Sequence, residues 1–142
     1  TVPFDGSRVK TRLASYRSSD GETIPIQVFV RDDSPEPKFV YLWVYGNIGI
    51  ANLPTFNRKF QLMLELEGAV ALASIRGGGE FGLDWQKAGT FDKAQSLRDI
   101  AYASRWLKSE YSSIGERVAL SGRSFGGMNT MAAYVSHQED FA

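Results

Sequence analysis

Two apolar runs of strand length stand in the middle of the chain, at residues 39–45 and 69–75, and a third follows at 117–121. Continuous apolar runs of this length, without alternation, suit strands covered on both faces, as in a mostly parallel sheet. Between them the period changes. Phe56, Phe60, Met63, Leu64 and Glu67 recur at helical spacing, with Gly68 as a stop. Residues 92–111 predict a long helix whose Leu97, Ile100, Ala101, Ala103 and Leu107 share one face. Residues 125–136 predict a last helix, and 81–90 read as a polar loop.

The first third is patterned differently. Residues 1–10 have no clear period and read as a linker. Residues 12–17 alternate weakly, Asp20-Gly21 is a strong turn signal, and 23–30 read as a second strand, so the two predict a hairpin. Pro25 lacks the donor a central strand needs and predicts an edge position. Pro35 and Pro37 mark a loop over residues 32–38. The expected order is a hairpin, then strand–helix–strand–helix–strand–helix. That is an α/β fold, its sheet mostly parallel, with crossover helices on both faces and an antiparallel hairpin at the N-terminal side.

Composition narrows the function classes. The 142 residues suit one domain, 43% of them are hydrophobic and 23% charged, as in a globular protein. The 16 basic and 16 acidic residues balance, leaving no basic field for nucleic acid. No apolar run approaches a membrane span. With no cysteine there are no disulfides, thiolate metal sites or cysteine nucleophile, and a cytoplasmic location is expected. One histidine and no carboxylates at ligand spacing argue against a metal, and no cofactor is expected. The chain starts at Thr1 and stops just after its last helix, so both ends are expected to be cuts in a longer protein.

The chemistry concentrates at Gly122-Arg123-Ser124-Phe125-Gly126. This Gly-x-Ser-x-Gly sequence lies between a strand and a helix, the context of a nucleophile elbow. There the turn is too tight for side chains at Gly122 and Gly126, and strained backbone presents the Ser124 hydroxyl to solvent. Gly127 is expected to extend the small-residue surface where helix and sheet approach. A serine nucleophile needs a base, a histidine oriented by a carboxylate. The only histidine, His137, lies thirteen residues on, near the end of the same helix. That is roughly 20 Å along the axis at 1.5 Å per residue, so it reads as a helix-end residue rather than a base. Glu139 and Asp140 read as surface charges. The backbone N–H of Phe125, directly after the nucleophile, is an expected oxyanion donor.

Three consecutive glycines, Gly77 to Gly79, invite a phosphate-loop reading, but the Lys-Ser or Lys-Thr that must follow is absent and a dinucleotide fingerprint fails on spacing. A structural reading fits better: Arg76 and Glu80 anchor the loop by ion pairs or backbone hydrogen bonds, and the glycines let the chain pass close to the elbow. Arg123 and Phe125 each keep two readings. Arg123 meets a substrate carboxylate or a nearby acid; Phe125 lines a substrate pocket or packs on the sheet.

Taken in order, Tyr45-Gly46 after a buried strand, the block from Ser74 to Gly82 with Arg76-Gly77-Gly78-Gly79-Glu80 at its centre, Trp85, and Gly122 to Gly127 resemble the prolyl oligopeptidase family of serine peptidases. The resemblance runs from about Tyr16 to Ala142, and the Arg-Gly-Gly-Gly-Glu block is more specific than the elbow alone. It implies an α/β-hydrolase catalytic domain, cut after the nucleophile helix, with residues 1–15 a linker or propeller exit and 16–142 a partial catalytic domain. It implies acyl transfer through a Ser124 acyl-enzyme, short peptides as substrates, the remainder of the catalytic domain as a partner, and a triad Asp and His beyond Ala142. This polypeptide alone is then expected to be inactive. On residue type alone Tyr45 reads as an aromatic core residue; the resemblance makes its hydroxyl the second oxyanion donor. The chain departs from the family at Tyr45-Gly46-Asn47-Ile48-Gly49, where relatives carry two glycines after the tyrosine. An esterase of the same fold, or an inactive fragment acting by association, are the alternative readings. Proline preference, and endo- against exopeptidase action, are not legible.

Overall fold

The computed structural model describes residues 4–55 and 57–141. A five-stranded sheet with strand order β1-β2-β4-β3-β5 organises them. Strands β1 (Val9–Arg17) and β2 (Thr23–Arg31) form the predicted antiparallel hairpin, in register from Val9↔Arg31 to Arg17↔Thr23. Gly21 takes the positive φ of 84° that its turn requires. β1 starts at Val9, within the segment read as a linker. β2 then pairs antiparallel with β4 (Ala69–Ala73), which pairs parallel with β3 (Val40–Val44), which pairs parallel with β5 (Val118–Gly122). The sheet is therefore mixed, with its parallel part confined to β4, β3 and β5.

Pro25 does not mark an edge, because β2 lies between β1 and β4. Its carbonyl accepts from Ser74 N (2.9 Å), one residue past the end of β4. The nitrogen without a proton faces that same side, opposite Ser74, so the pair has one hydrogen bond in place of two and β4 ends at Ala73.

Helices cover both faces, as expected. α3 (Lys93–Glu110) and α4 (Phe125–Ser136) lie on one, burying Ile100, Ala103, Leu107 and Ala133 against Ile24, Ile26, Val28, Leu42 and Val44. α1 (Arg58–Glu65) lies on the other, with Leu64 against Val70 and Leu72. Asn57 caps α1 by accepting from Lys59 N (2.9 Å), and the expected first residue, Phe56, lies outside the described residues. β4 is buried along its whole length, as its apolar run predicted. β3 alternates: Val40, Leu42 and Val44 are buried, while Tyr41 and Trp43 are half-buried and pack edgewise on Phe60 of α1.

The expected polar loop at 81–90 is instead largely helix α2 (Leu83–Phe91). It carries no clear apolar stripe; tertiary contacts make it. Trp85 donates its indole N–H to the Ile75 carbonyl (3.2 Å), and the Trp85 carbonyl accepts from Gly77 N (3.0 Å). Gly89 lies so close to the Arg76–Gly77 backbone that a β-carbon there would overlap it. No described helix is long and apolar enough to cross a membrane.

Candidate active site

The Gly-x-Ser-x-Gly sequence forms the tight strand-to-helix turn it predicted. Ser124 has φ 55° and ψ −124°, the geometry of the first central residue of a type II′ turn. Gly126 N donates to Arg123 O (2.9 Å) across that turn, and Met128 N donates to Ser124 O (3.1 Å) to start α4. A left-handed φ is unfavourable for serine, so backbone strain sits at the residue whose hydroxyl must be presented; Ser124 is exposed. The flanking glycines are sterically required. A β-carbon at Gly122 would overlap Gly126, and one at Gly126 would lie 2.6 Å from Val44 O and 3.1 Å from Tyr45 Cα. Gly127 differs from expectation: a β-carbon there would make ordinary contact at 3.5 Å.

Tyr45, at the end of β3, is half-buried with its ring against this turn, 3.4 Å from where a Gly126 β-carbon would be. The structure thus brings Ser124, Phe125 and Tyr45 into one neighbourhood. Asn129, one helical turn after Phe125, donates from Nδ2 to Tyr45 O (2.8 Å) and Gly46 O (3.2 Å). Asn52 does similar work on the other side of the loop, donating from Nδ2 to Trp43 O and Ala73 O, both at 3.3 Å. Glu80 Oε1 accepts from Asn52 N (2.7 Å); burial pushes the Glu80 carboxyl up, against the lowering effect of that hydrogen bond. Phe125 is 42% exposed, which settles against packing on the sheet. With Met128 and the exposed Ile48 and Ile50 after Tyr45, it gives the two segments that meet here apolar surfaces.

The glycine triplet passes close to the Tyr45 loop, not to the elbow as expected. A β-carbon at Gly77 would overlap Gly46 O, and one at Gly79 would overlap Gly49 O. Gly49 N donates to Gly77 O (3.1 Å). The anchoring role expected of Arg76 is present in full. Its guanidinium grips Asp99 of α3 through Nε–Oδ2 (2.9 Å) and Nη2–Oδ1 (2.6 Å), and Asp20 of the hairpin turn through Nη1–Oδ2 (2.6 Å). Asp99 is fully buried and also accepts from Ser18 Oγ (2.6 Å). Burial alone would push the Arg76 guanidinium down; the hydrogen bonds to Asp99 and Asp20 outweigh it and hold it above its ordinary value. The same contact holds the Asp20 carboxyl down, at about 2.

His137 caps the far end of α4, as predicted, away from Ser124. Asp140 is not a surface charge: it is buried and paired with Arg105 of α3 through Nε–Oδ1 (2.5 Å) and Nη2–Oδ2 (2.9 Å). His137, Glu139 and Asp140 hold ligand atoms within 4.8 Å of one another, although both Asp140 oxygens already accept from Arg105. Sequence reasoning passed over Asn129, Asn52 and Asp99. Asp99 left one trace, a carboxylate on the face of α3 that carries Ile100 and Ala103.

The sequence matches the profile described as "Prolyl oligopeptidase family" over residues 54–142. It is 33% identical to a prolyl endopeptidase of Elizabethkingia meningoseptica over 99% of this chain and 20% of that protein. The fold superposes on oligopeptidase B from Leishmania major with a TM-score of 0.90 at 26% identity, covering 99% of this chain and 20% of that one. It superposes on prolyl oligopeptidase B from Galerina marginata with a TM-score of 0.86 at 27% identity, covering 92% and 19%. The chain therefore spans about a fifth of the length of these relatives. The matched residues include the Arg76–Glu80 block and the elbow, and the chain belongs to the prolyl oligopeptidase family.

Proposed function

We propose that this chain is the nucleophile-bearing part of a serine peptidase that cleaves short peptides. The observation that carries the reading is Ser124, held at positive φ at the head of α4 with Tyr45 against the same turn. Ser124 Oγ attacks the peptide carbonyl while a histidine takes its proton; the carbonyl oxygen becomes an oxyanion that accepts from Phe125 N–H and the Tyr45 hydroxyl. The imidazolium then protonates the leaving amine, and water hydrolyses the acyl-enzyme by the same base. The apolar surfaces of Phe125, Met128, Ile48 and Ile50 favour apolar substrate side chains.

The base and its carboxylate come from polypeptide beyond Ala142 in this proposal, since the only histidine of the chain lies at the wrong end of α4. Residues 1–142 are then one part of a catalytic domain and inert alone, residues before Val9 lead into β1 from a preceding segment, and the protein is cytoplasmic. The test is labelling of the complete gene product by a serine-reactive fluorophosphonate, beside its Ser124→Ala variant. Label on the wild type and not on the variant is expected, with hydrolysis of short peptide substrates. Hydrolysis of esters but not peptides would make it an esterase; no label on folded protein would make the elbow inert and the function one of association.

A further inference from the structure

The two donors of the proposed oxyanion site belong to different elements. Phe125 N–H opens α4, and the Tyr45 side chain follows β3. Transition-state stabilisation depends on the distance between such donors, and misplacement by about 1 Å can lower a rate about 10²-fold. Something must therefore hold the end of β3 against the start of α4.

Two contacts do so. One is steric, Gly126 against Val44 O and Tyr45 Cα. The other is Asn129. It is fully buried, stands one helical turn from Phe125, and gives one amide nitrogen to the carbonyls of Tyr45 (2.8 Å) and Gly46 (3.2 Å). Its Oδ1 is buried with no partner among the described residues. A buried unpaired acceptor is destabilising, and an apolar side chain would avoid it. Among the buried residues of α4, with Gly126 and Ala133, the amide is there for its donors. Gly46 needs them, because its φ of 57° turns the chain out of the strand and takes its carbonyl out of the ladder.

We infer that Asn129 is a positioning residue for acyl transfer, fixing the Tyr45 hydroxyl relative to the Phe125 N–H by tying the 45–46 backbone to α4. This rests on the oxyanion roles proposed above for Tyr45 and Phe125.

The test is a double-mutant cycle in the complete protein, with Asn129→Leu made in wild-type and Tyr45→Phe backgrounds. In the wild-type background kcat should fall about 10- to 100-fold with KM within about two-fold, because the contact acts in the transition state. In the Tyr45→Phe background the further loss should shrink to less than about three-fold, since the group being positioned is gone. An equal factor in both backgrounds, or a raised KM at unchanged kcat, would overturn the inference. Ser124→Ala separates the two levels: turnover that survives it sinks the proposed function itself, whatever Asn129 does. If the leucine variant does not fold, the side-chain NH₂ resonances of Asn129 decide. They should shift when Ser124 is phosphonylated in wild type and stay still in Tyr45→Phe; equal shifts, or none, would overturn it.

Discussion

Arg76 and Asp99 form a two-point ion pair closed to solvent, Nη2 to Oδ1 at 2.6 Å and Nε to Oδ2 at 2.9 Å, that ties the glycine-rich loop to the middle of α3. The Arg76 backbone N–H adds a third bond to Asp99 Oδ2 (3.1 Å). The loop that packs on the Tyr45 segment is thus clamped from beneath.

Removing one partner of such a pair strands the other charge in the interior. Asp99→Ala should destabilise the domain by about 3 kcal/mol, at the low end for buried pairs because Asp20 still holds Arg76. Thermal and denaturant melts check this. A change below about 1 kcal/mol would mean that water reaches the site.

Asp20 gives the clamp a pH dependence. The Arg76 hydrogen bonds hold its carboxyl at about 2, below the unfolded value near 4. A depressed carboxylate contributes stability above its unfolded pKa, and that contribution is lost as pH falls through its folded pKa. The melting temperature should therefore drop between about pH 4 and pH 2, and less steeply in Asp20→Asn. The effect is small, because the Asp20 side chain is 43% exposed and solvent screens the pair. Identical acid slopes for both proteins would remove Asp20 from the account.

Gly126 and Gly127 adjoin in sequence and should respond in opposite ways. Gly126→Ala places a β-carbon 2.6 Å from Val44 O, and backbone cannot yield as a side chain can. It should destabilise by about 1–3 kcal/mol and abolish fluorophosphonate labelling. Gly127→Ala meets only ordinary contact at 3.5 Å and gains helix propensity. It should keep labelling and raise stability by up to about 1 kcal/mol.

The strain at Ser124 is separable from its chemistry. Both Ser124→Ala and Ser124→Gly should lose labelling, but only glycine is at ease at φ 55°. The glycine variant should be the more stable of the two by roughly 1 kcal/mol. Equal melting points would show that the elbow relaxes once the hydroxyl is gone.

What the sequence revealed follows from where each signal is stored. The strands at 40–44, 69–73 and 118–122, and the turn at Ser124, are local: apolar runs mark the former and glycine spacing marks the latter. α2 is not legible because it exists through contacts at Gly89 and Trp85 rather than through an apolar stripe. Pro25 misleads because it stands at the end of the pairing with β4, where it still accepts from Ser74 N and the strand loses only one donor. Asp140 reads as a surface charge in the sequence because its partner, Arg105, lies 35 residues earlier on a different helix. Asn129 left least trace of all: its partners are backbone carbonyls 84 and 83 residues away, and carbonyls carry no residue identity.

The far edge of the sheet sets the last expectation. β5 ends the strand order and pairs only with β3 among the described residues, so one row of its backbone donors and acceptors faces outward. The helix beside it is apolar where it should meet water: Met131 is 65% exposed, Val135 63% and Tyr134 46%. Val118, Leu120, Met131, Tyr134 and Phe141 line an open cavity of about 330 Å³ on this side. An unpaired strand edge next to exposed apolar surface is a template for association. Residues 1–142 produced alone should therefore elute larger than the 15.8 kDa monomer and melt at a temperature that depends on concentration. Lys or Glu at Met131 and Val135 should reduce that association without disturbing the Ser124 turn, which faces the other end of α4. A monomer with a cooperative, concentration-independent melt would mean that this edge is stable uncovered, and would weaken the proposal that further polypeptide completes the domain there.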